Sequence, residues 1–180
     1  MKLIVKWIIS VMIIYSGMLW LVEFLRKRMK KGKITILFYH RVLDDKQIKD
    51  YYRPAVAVSV STFRKQMELL QKKYKVISLD DAVNLLQKRK PLENDYIVIT
   101  FDDGYADNYE NAFPVLKEYN LPAAIFLTTD YIDSNRLLWA DTVGMLLEKK
   151  WDVFLQTELF QAVKNVGSFD NKAAMIDEII

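Results

Sequence analysis

Cysteine is absent from the 180 residues, which removes disulfides and thiol chemistry and leaves the redox compartment open. Histidine occurs once, at His40. The chain has no Gly-rich phosphate loop, no Ser-His-Asp order and no internal repeat, so phosphate-cradling, triad hydrolysis and solenoid architectures are set aside. Positive charge is scarce where a nucleic-acid surface would need it. Residues 1 to 33 hold eight Lys/Arg against one acid, while the remainder holds 18 against 22, so the globular part is acidic and argues against nucleic-acid binding.

What the chain does have is apolar mass, at 52% hydrophobic residues, enough for one domain of ordinary size. Part of it is concentrated at the N-terminus. Trp7 to Val22 is uncharged, and the span Leu3 to Leu25 is long enough to cross a bilayer once Lys6 and Glu23 are allowed at its borders. No small-x-small cleavage pattern follows, so residues 1–31 read as an uncleaved transmembrane anchor with a basic flank. Arg26, Lys27, Arg28, Lys30, Lys31 and Lys33 outnumber Lys2, Lys6 and the N-terminal amine, a bias that by itself puts the following domain in the cytoplasm. The same basic run also suits anionic lipid head groups.

The domain is organised around Tyr96 to Thr129. Tyr96 to Phe101 is an uncharged, β-branched run, the pattern of a strand buried on both faces of a parallel sheet, and it stops on Asp102, Asp103 and Gly104. Adjacent carboxylates after a buried strand are costly unless a cation or a reacting proton uses their charge. The pattern predicts a helix over Asn108 to Tyr119, with Pro114 in its first turn, and a second buried strand over Ala123 to Thr128. This βαβ succession puts the acids at the carboxyl edge of the sheet, where ligands gather in parallel α/β folds.

Upstream, Ile34 to Tyr39 is a short strand ending on His40, Arg41 and Val42, followed by a polar and aromatic loop from Leu43 to Ala57. Ser61 is the expected cap of a helix that turns Phe63, Met67, Leu70 and Tyr74 to the core. A brief strand at Val76 and Ile77 precedes Ser78-x-x-Asp81, a capping box opening a helix with Leu79, Ala82, Val83 and Leu86 inward. Downstream, Leu137 to Asp141 opens an amphipathic helix to about Lys150, Trp151 to Gln156 fits strand or helix, and Asp170 to Ile180 starts a further helix.

Thr100-Phe101-Asp102-Asp103-Gly104-Tyr105, with Asp107-Asn108-Tyr109 and Leu121-Pro122-Ala123 after it, resembles the first motif of the polysaccharide deacetylase family, the NodB-homology carbohydrate esterases. Tyr39-His40-x-Val42 resembles the N-terminal motif of the poly-N-acetylglucosamine deacetylase branch. The resemblance runs from about Ile34 to about Leu147, so residues 32–180 read as the N-terminal part of such a domain. It implies an incomplete, distorted (β/α) barrel and a metal-dependent hydrolase that removes an N-acetyl or O-acetyl group from a cell-envelope or extracellular glycan. It further implies Asp102 as general base, His40 as the acid for the leaving amine, and Asp103 as a ligand of a divalent ion, most commonly zinc. Family members that modify surface glycans work outside the cell, against the charge bias.

In the resembled family a later His-x-x-x-His completes the metal site, and no histidine follows His40 here. A catalytic zinc takes about three protein ligands, so the expectation is weak metal binding and no deacetylation by these 180 residues alone. The chain reads as truncated, or as a membrane-anchored glycan-binding relic of the same fold. A glycosidase pairing Asp102 with a distant acid such as Asp141 is the remaining rival.

Overall fold

The computed structural model describes residues 6, 11–12, 14–28, 32–158, 160–161 and 172–180. Among them six strands form two parallel sheets: β1 (Ile34–Tyr39), β2 (Arg41–Leu43), β3 (Ala57–Ser59), β4 (Lys75–Val76), β5 (Tyr96–Phe101) and β6 (Ala124–Ile125). The uncharged run predicted as a doubly buried strand is β5, and all six of its residues are buried. β1 pairs with it along its whole length, from Ile34 opposite Tyr96 to Tyr39 opposite Phe101. On its other edge β5 meets β4 at its start and β6 at its end. β4 is only two residues long, too short to match β1, so the two six-residue strands pair directly. The sheet is open among the described residues, and the fold is α/β.

The helix Val60–Lys73 covers the sheet with Phe63, Met67 and Leu70, as the periodicity predicts. Phe63 meets the rings of Tyr39 and Phe101 at 5.1 and 5.9 Å. Met67, Ile97, Ile99, Val115 and Leu116 complete this core, where each fully buried large side chain contributes about 1.5–3 kcal/mol. Two details differ from expectation. Ser59, not Ser61, is the cap, its Oγ accepting from the Thr62 N–H, because Val60 is already helical; Ser61 lies in the first turn and donates to Asp45 instead. Tyr74 is exposed because it lies past the last helical residue on extended backbone.

Ser78 caps the helix Leu79–Gln87 as predicted, accepting from the Asp81 N–H. Only Ala82 is buried there, while Val83 and Leu86 stay exposed. The helix closes on the sheet at its smallest apolar residue and leaves the larger ones splayed. The predicted helix after β5 begins as a π-helical turn, Asn108–Ala112, before Phe113–Glu118 continues as α-helix.

The second buried strand is shorter and more exposed than predicted. β6 is two residues long, and Ile125, Phe126 and Leu127 are all about half exposed because, among the described residues, β5 alone flanks them. Ile36 and Phe38 on β1 are uncovered as well. Beyond β6 come the helices Trp139–Lys149, Trp151–Phe154 and Lys172–Ile179; of the run that fits strand or helix, Trp151–Phe154 is helix.

Near the N-terminus a helix runs over Met18–Arg28, and no described helix is long and apolar enough to cross a membrane. Of the predicted anchor, Leu3 to Leu25 within residues 1–31, residues 3–5, 7–10 and 13 lie outside the described residues, and the described part forms no helix long enough to span.

Candidate active site

Strand register brings the sequence-predicted residues together. Tyr39 pairs with Phe101, and the Asp102 N–H donates to the Tyr39 carbonyl at 2.9 Å, one step past the end of the ladder. His40 and Asp102 therefore leave the sheet side by side at its carboxyl edge. His40 Nδ1 lies 3.6 Å from Asp103 Oδ2 and 3.9 Å from Asp102 Oδ2. These distances are beyond a hydrogen bond, and among the described residues this buried nitrogen has no hydrogen-bond partner. All three side chains keep a quarter to a third or so of their surface open to solvent.

The turn that aims the carboxylates is strained. Asp103 and Gly104 both have φ near +72°, the left-handed region that costs a non-glycine residue on the order of 1 kcal/mol. Aspartate tolerates it better than most residues. At Gly104 a Cβ would meet the end of the Leu127 side chain at 2.5 Å, which that exposed side chain can yield, so it is the conformation that favours glycine.

A polar clamp, with roles that the sequence reading did not assign, fixes residues 40–42 to the segment after the turn. Asp107 is 6% exposed and accepts from the Val42 N–H at 2.8 Å and from Arg41 Nε at 2.6 Å. Asn108 Nδ2 donates to the His40 carbonyl at 2.8 Å, and Asn111 Nδ2 to the Val42 carbonyl at 2.7 Å. Burial works against the Arg41 charge, but Asp107, together with Tyr51 and Tyr105, more than offsets it and holds the guanidinium above its ordinary range. The available signal was three polar residues on the buried start of a helix.

Asp141 closes the other side. It is 5% exposed, and its carboxylate accepts from Tyr52 Oη at 3.0 Å and Tyr105 Oη at 2.8 Å, with Arg53 Nη1 at 3.7 Å. Burial first, and this anion among the further causes, pushes the Tyr52 and Tyr105 phenols well above their ordinary value. A carboxylate so engaged is a structural acceptor, which removes the basis for pairing it with Asp102 as a glycosidase acid. The predicted loop aromatics are likewise packed: Tyr51 and Tyr52 are half-buried, and Arg41 sits over the Tyr51 and Tyr105 rings at 5.3 and 4.2 Å.

Between these groups lies a cavity of about 320 Å³ whose lining includes His40, Arg53, Asp103, Tyr105, Tyr131 and Trp139. A larger groove of about 570 Å³ under Phe113, Leu116 and Ile125 has no carboxylate or imidazole in its lining, so the smaller one is the candidate site. Among the described residues no group of three or more His, Cys, Asp or Glu side chains is placed to hold a metal ion. If His40 and Asp102 move protons, Asp103 is left as a single ligand where a catalytic zinc takes about three from protein. The residues present do not fit the ion on their own.

Residues 89–167 match the family model described as polysaccharide deacetylase. Over 145 residues the chain is 31% identical to the poly-β-1,6-N-acetyl-D-glucosamine N-deacetylase of Staphylococcus epidermidis, covering 73% of this chain and 47% of that protein. It is 36% identical over 103 residues to YxkH of Bacillus subtilis, a protein named for polysaccharide deacetylation, covering 56% and 34%. A solved de-N-acetylase from Aggregatibacter actinomycetemcomitans superposes with a TM-score of 0.50 at 30% identity over 58% of this chain and 42% of that one. The matches thus span about a third to a half of the length of these relatives. Over the matched part, this chain carries a polysaccharide deacetylase domain of the NodB-like family, with poly-N-acetylglucosamine deacetylases among its relatives.

Proposed function

We propose that the chain provides the base and acid of a glycan deacetylase that hydrolyses an N-acetyl group, with an O-acetyl ester as the less favoured substrate. The observation that carries this reading is the convergence of His40, Asp102 and Asp103 within 3.6 to 3.9 Å at the carboxyl edge of β1 and β5. Water oxygen attacks the acetyl carbon while Asp102 takes the water's proton. His40 then gives a proton to the departing nitrogen as the C–N bond breaks, leaving acetate and a free amine. Asp103 is the carboxylate available to a divalent ion, with zinc the expected one; deacetylases of this family are generally metal dependent. Similarity to a poly-β-1,6-N-acetyl-D-glucosamine N-deacetylase supports an N-acetylated extracellular or envelope glycan as the substrate class. The expected setting is an incomplete (β/α) barrel over residues 32–180, held at the membrane by residues 1–31 with the domain outside.

The short donor set favours one second reading, a membrane-anchored module that binds glycan without catalysis. Acetate release and zinc content, measured in a form that supplies the further metal ligands, decide between them, since the module would bind glycan and release none. In an active form, Asp102→Asn should abolish turnover with metal retained, because an amide cannot accept the water's proton. Asp103→Asn should lose the metal too, and asparagine suits the left-handed backbone there, so folding is preserved. Equal metal loss in both variants would sink the assignment.

A further inference from the structure

Tyr105 directly follows the two left-handed residues Asp103 and Gly104, so where its ring is held governs where the turn can sit. It is held at two points. Its face lies under the Arg41 guanidinium, itself gripped by buried Asp107, and its hydroxyl donates to buried Asp141. Asp141 comes from the helix Trp139–Lys149, far along the chain, and its recorded partners are Tyr52, Tyr105 and Arg53, none of them a reacting group. A strained turn persists only when its surroundings over-determine it, and the phenol tip links the turn to that helix. We propose that Asp141 is a positioning residue that holds the Asp102–Asp103 turn in its productive geometry through Tyr105.

This inference rests on the deacetylase reading for its catalytic consequence, but not for its structural test. Asparagine at 141 removes the charge and replaces one acceptor oxygen by an NH2, so the two phenols can no longer donate to separate carboxylate oxygens. With a single histidine, the chain gives one imidazole Cε1–Hε1 NMR correlation, a reporter 3.6 Å from Asp103 that needs no assignment. At fixed pH in the 180-residue chain, Asp141→Asn and Tyr105→Phe should displace this correlation in the same direction. Tyr52→Phe, which removes the phenol from the other oxygen of the same carboxylate and leaves the Tyr105 hydrogen bond, should leave it in place. In an active form, the first two should lower kcat about 10- to 100-fold with KM within about twofold, since misplacement by about 1 Å costs on that order. A folded Asp141→Asn variant with an unmoved correlation would overturn the proposal, as would Tyr52→Phe matching Tyr105→Phe. If Asp141→Asn fails to fold, the comparison of the two tyrosine variants, which keep the carboxylate, decides alone. If wild type in a form that supplies the further metal ligands releases no acetate, the deacetylase reading fails while the NMR comparison still tests the positioning role.

Discussion

Replacing Asp107 with alanine should be among the most destabilising single changes at the site, and its size follows from what the carboxylate holds. One oxygen accepts from the N–H of Val42, a residue with no exposed surface, and the other from Arg41 Nε at 2.6 Å. An orphaned buried N–H costs about 1–3 kcal/mol. Breaking a buried ion pair from one side costs about 3–5 kcal/mol, at the lower end here because the Arg41 side chain keeps 21% exposure and two aromatic faces. The two losses share one site and do not add in full, so about 3–5 kcal/mol is expected for Asp107→Ala. Asp107→Asn keeps an acceptor for Val42 and loses only the charge toward Arg41, about 1.5–3 kcal/mol. Urea unfolding followed by circular dichroism measures both, with unchanged m-values required for the comparison. In a thermal scan the alanine variant should melt about 6–20 °C lower, at about 2–4 °C per kcal/mol for a chain of this size. A loss under about 1 kcal/mol for alanine, or equal losses for the two variants, would refute this account of the clamp.

Gly144 sits where a Cβ would run into the Tyr52 ring, so Gly144→Ala should cost about 1–3 kcal/mol by overpacking; a neutral result in urea unfolding would contradict that contact. The Tyr52 and Tyr105 phenols are raised above their ordinary value, chiefly by burial. The stability they contribute is full below about pH 10, the unfolded phenol value, and is lost as pH rises through the folded values. The urea midpoint should therefore fall above about pH 10, and a flat midpoint from pH 9 to 11 would argue against buried neutral phenols. If residues 1–31 form an anchor, the protein should stay with membranes in high salt, which screens head-group attraction but not hydrophobic insertion; release by salt would mean peripheral attachment.

Local chemistry was legible in the sequence wherever a short run decided it. The uncharged Tyr96–Phe101 run could only be a strand buried on both sides, Ser78 could cap only what followed it, and Asp102, Asp103 and His40 stood out as polar residues at strand ends. The Ala123 to Thr128 run misled because composition reports how much a segment gains from burial, not whether a neighbour is present to bury it; Phe126 and Leu127 remain about half exposed. Asp107 and Asp141 were legible only as acids.

Which groups meet across 60 or more residues was for the tertiary structure to decide. The pairing of Tyr39 with Phe101 sets His40 beside Asp102, and a two-residue slip of that parallel register would carry the imidazole about 7 Å away while keeping every side chain on its face. The buried carboxylates acquire their partners in the same way, Asp107 from β2 and Asp141 from the loop before β3 and the turn after β5. The amino-acid sequence by itself determined the kinds of groups and the elements that carry them, because propensity, capping and alternation act over a few residues. Their distances, partners and proton affinities belong to the packed fold, because burial and through-space charge depend on neighbours that the chain supplies only once it has folded.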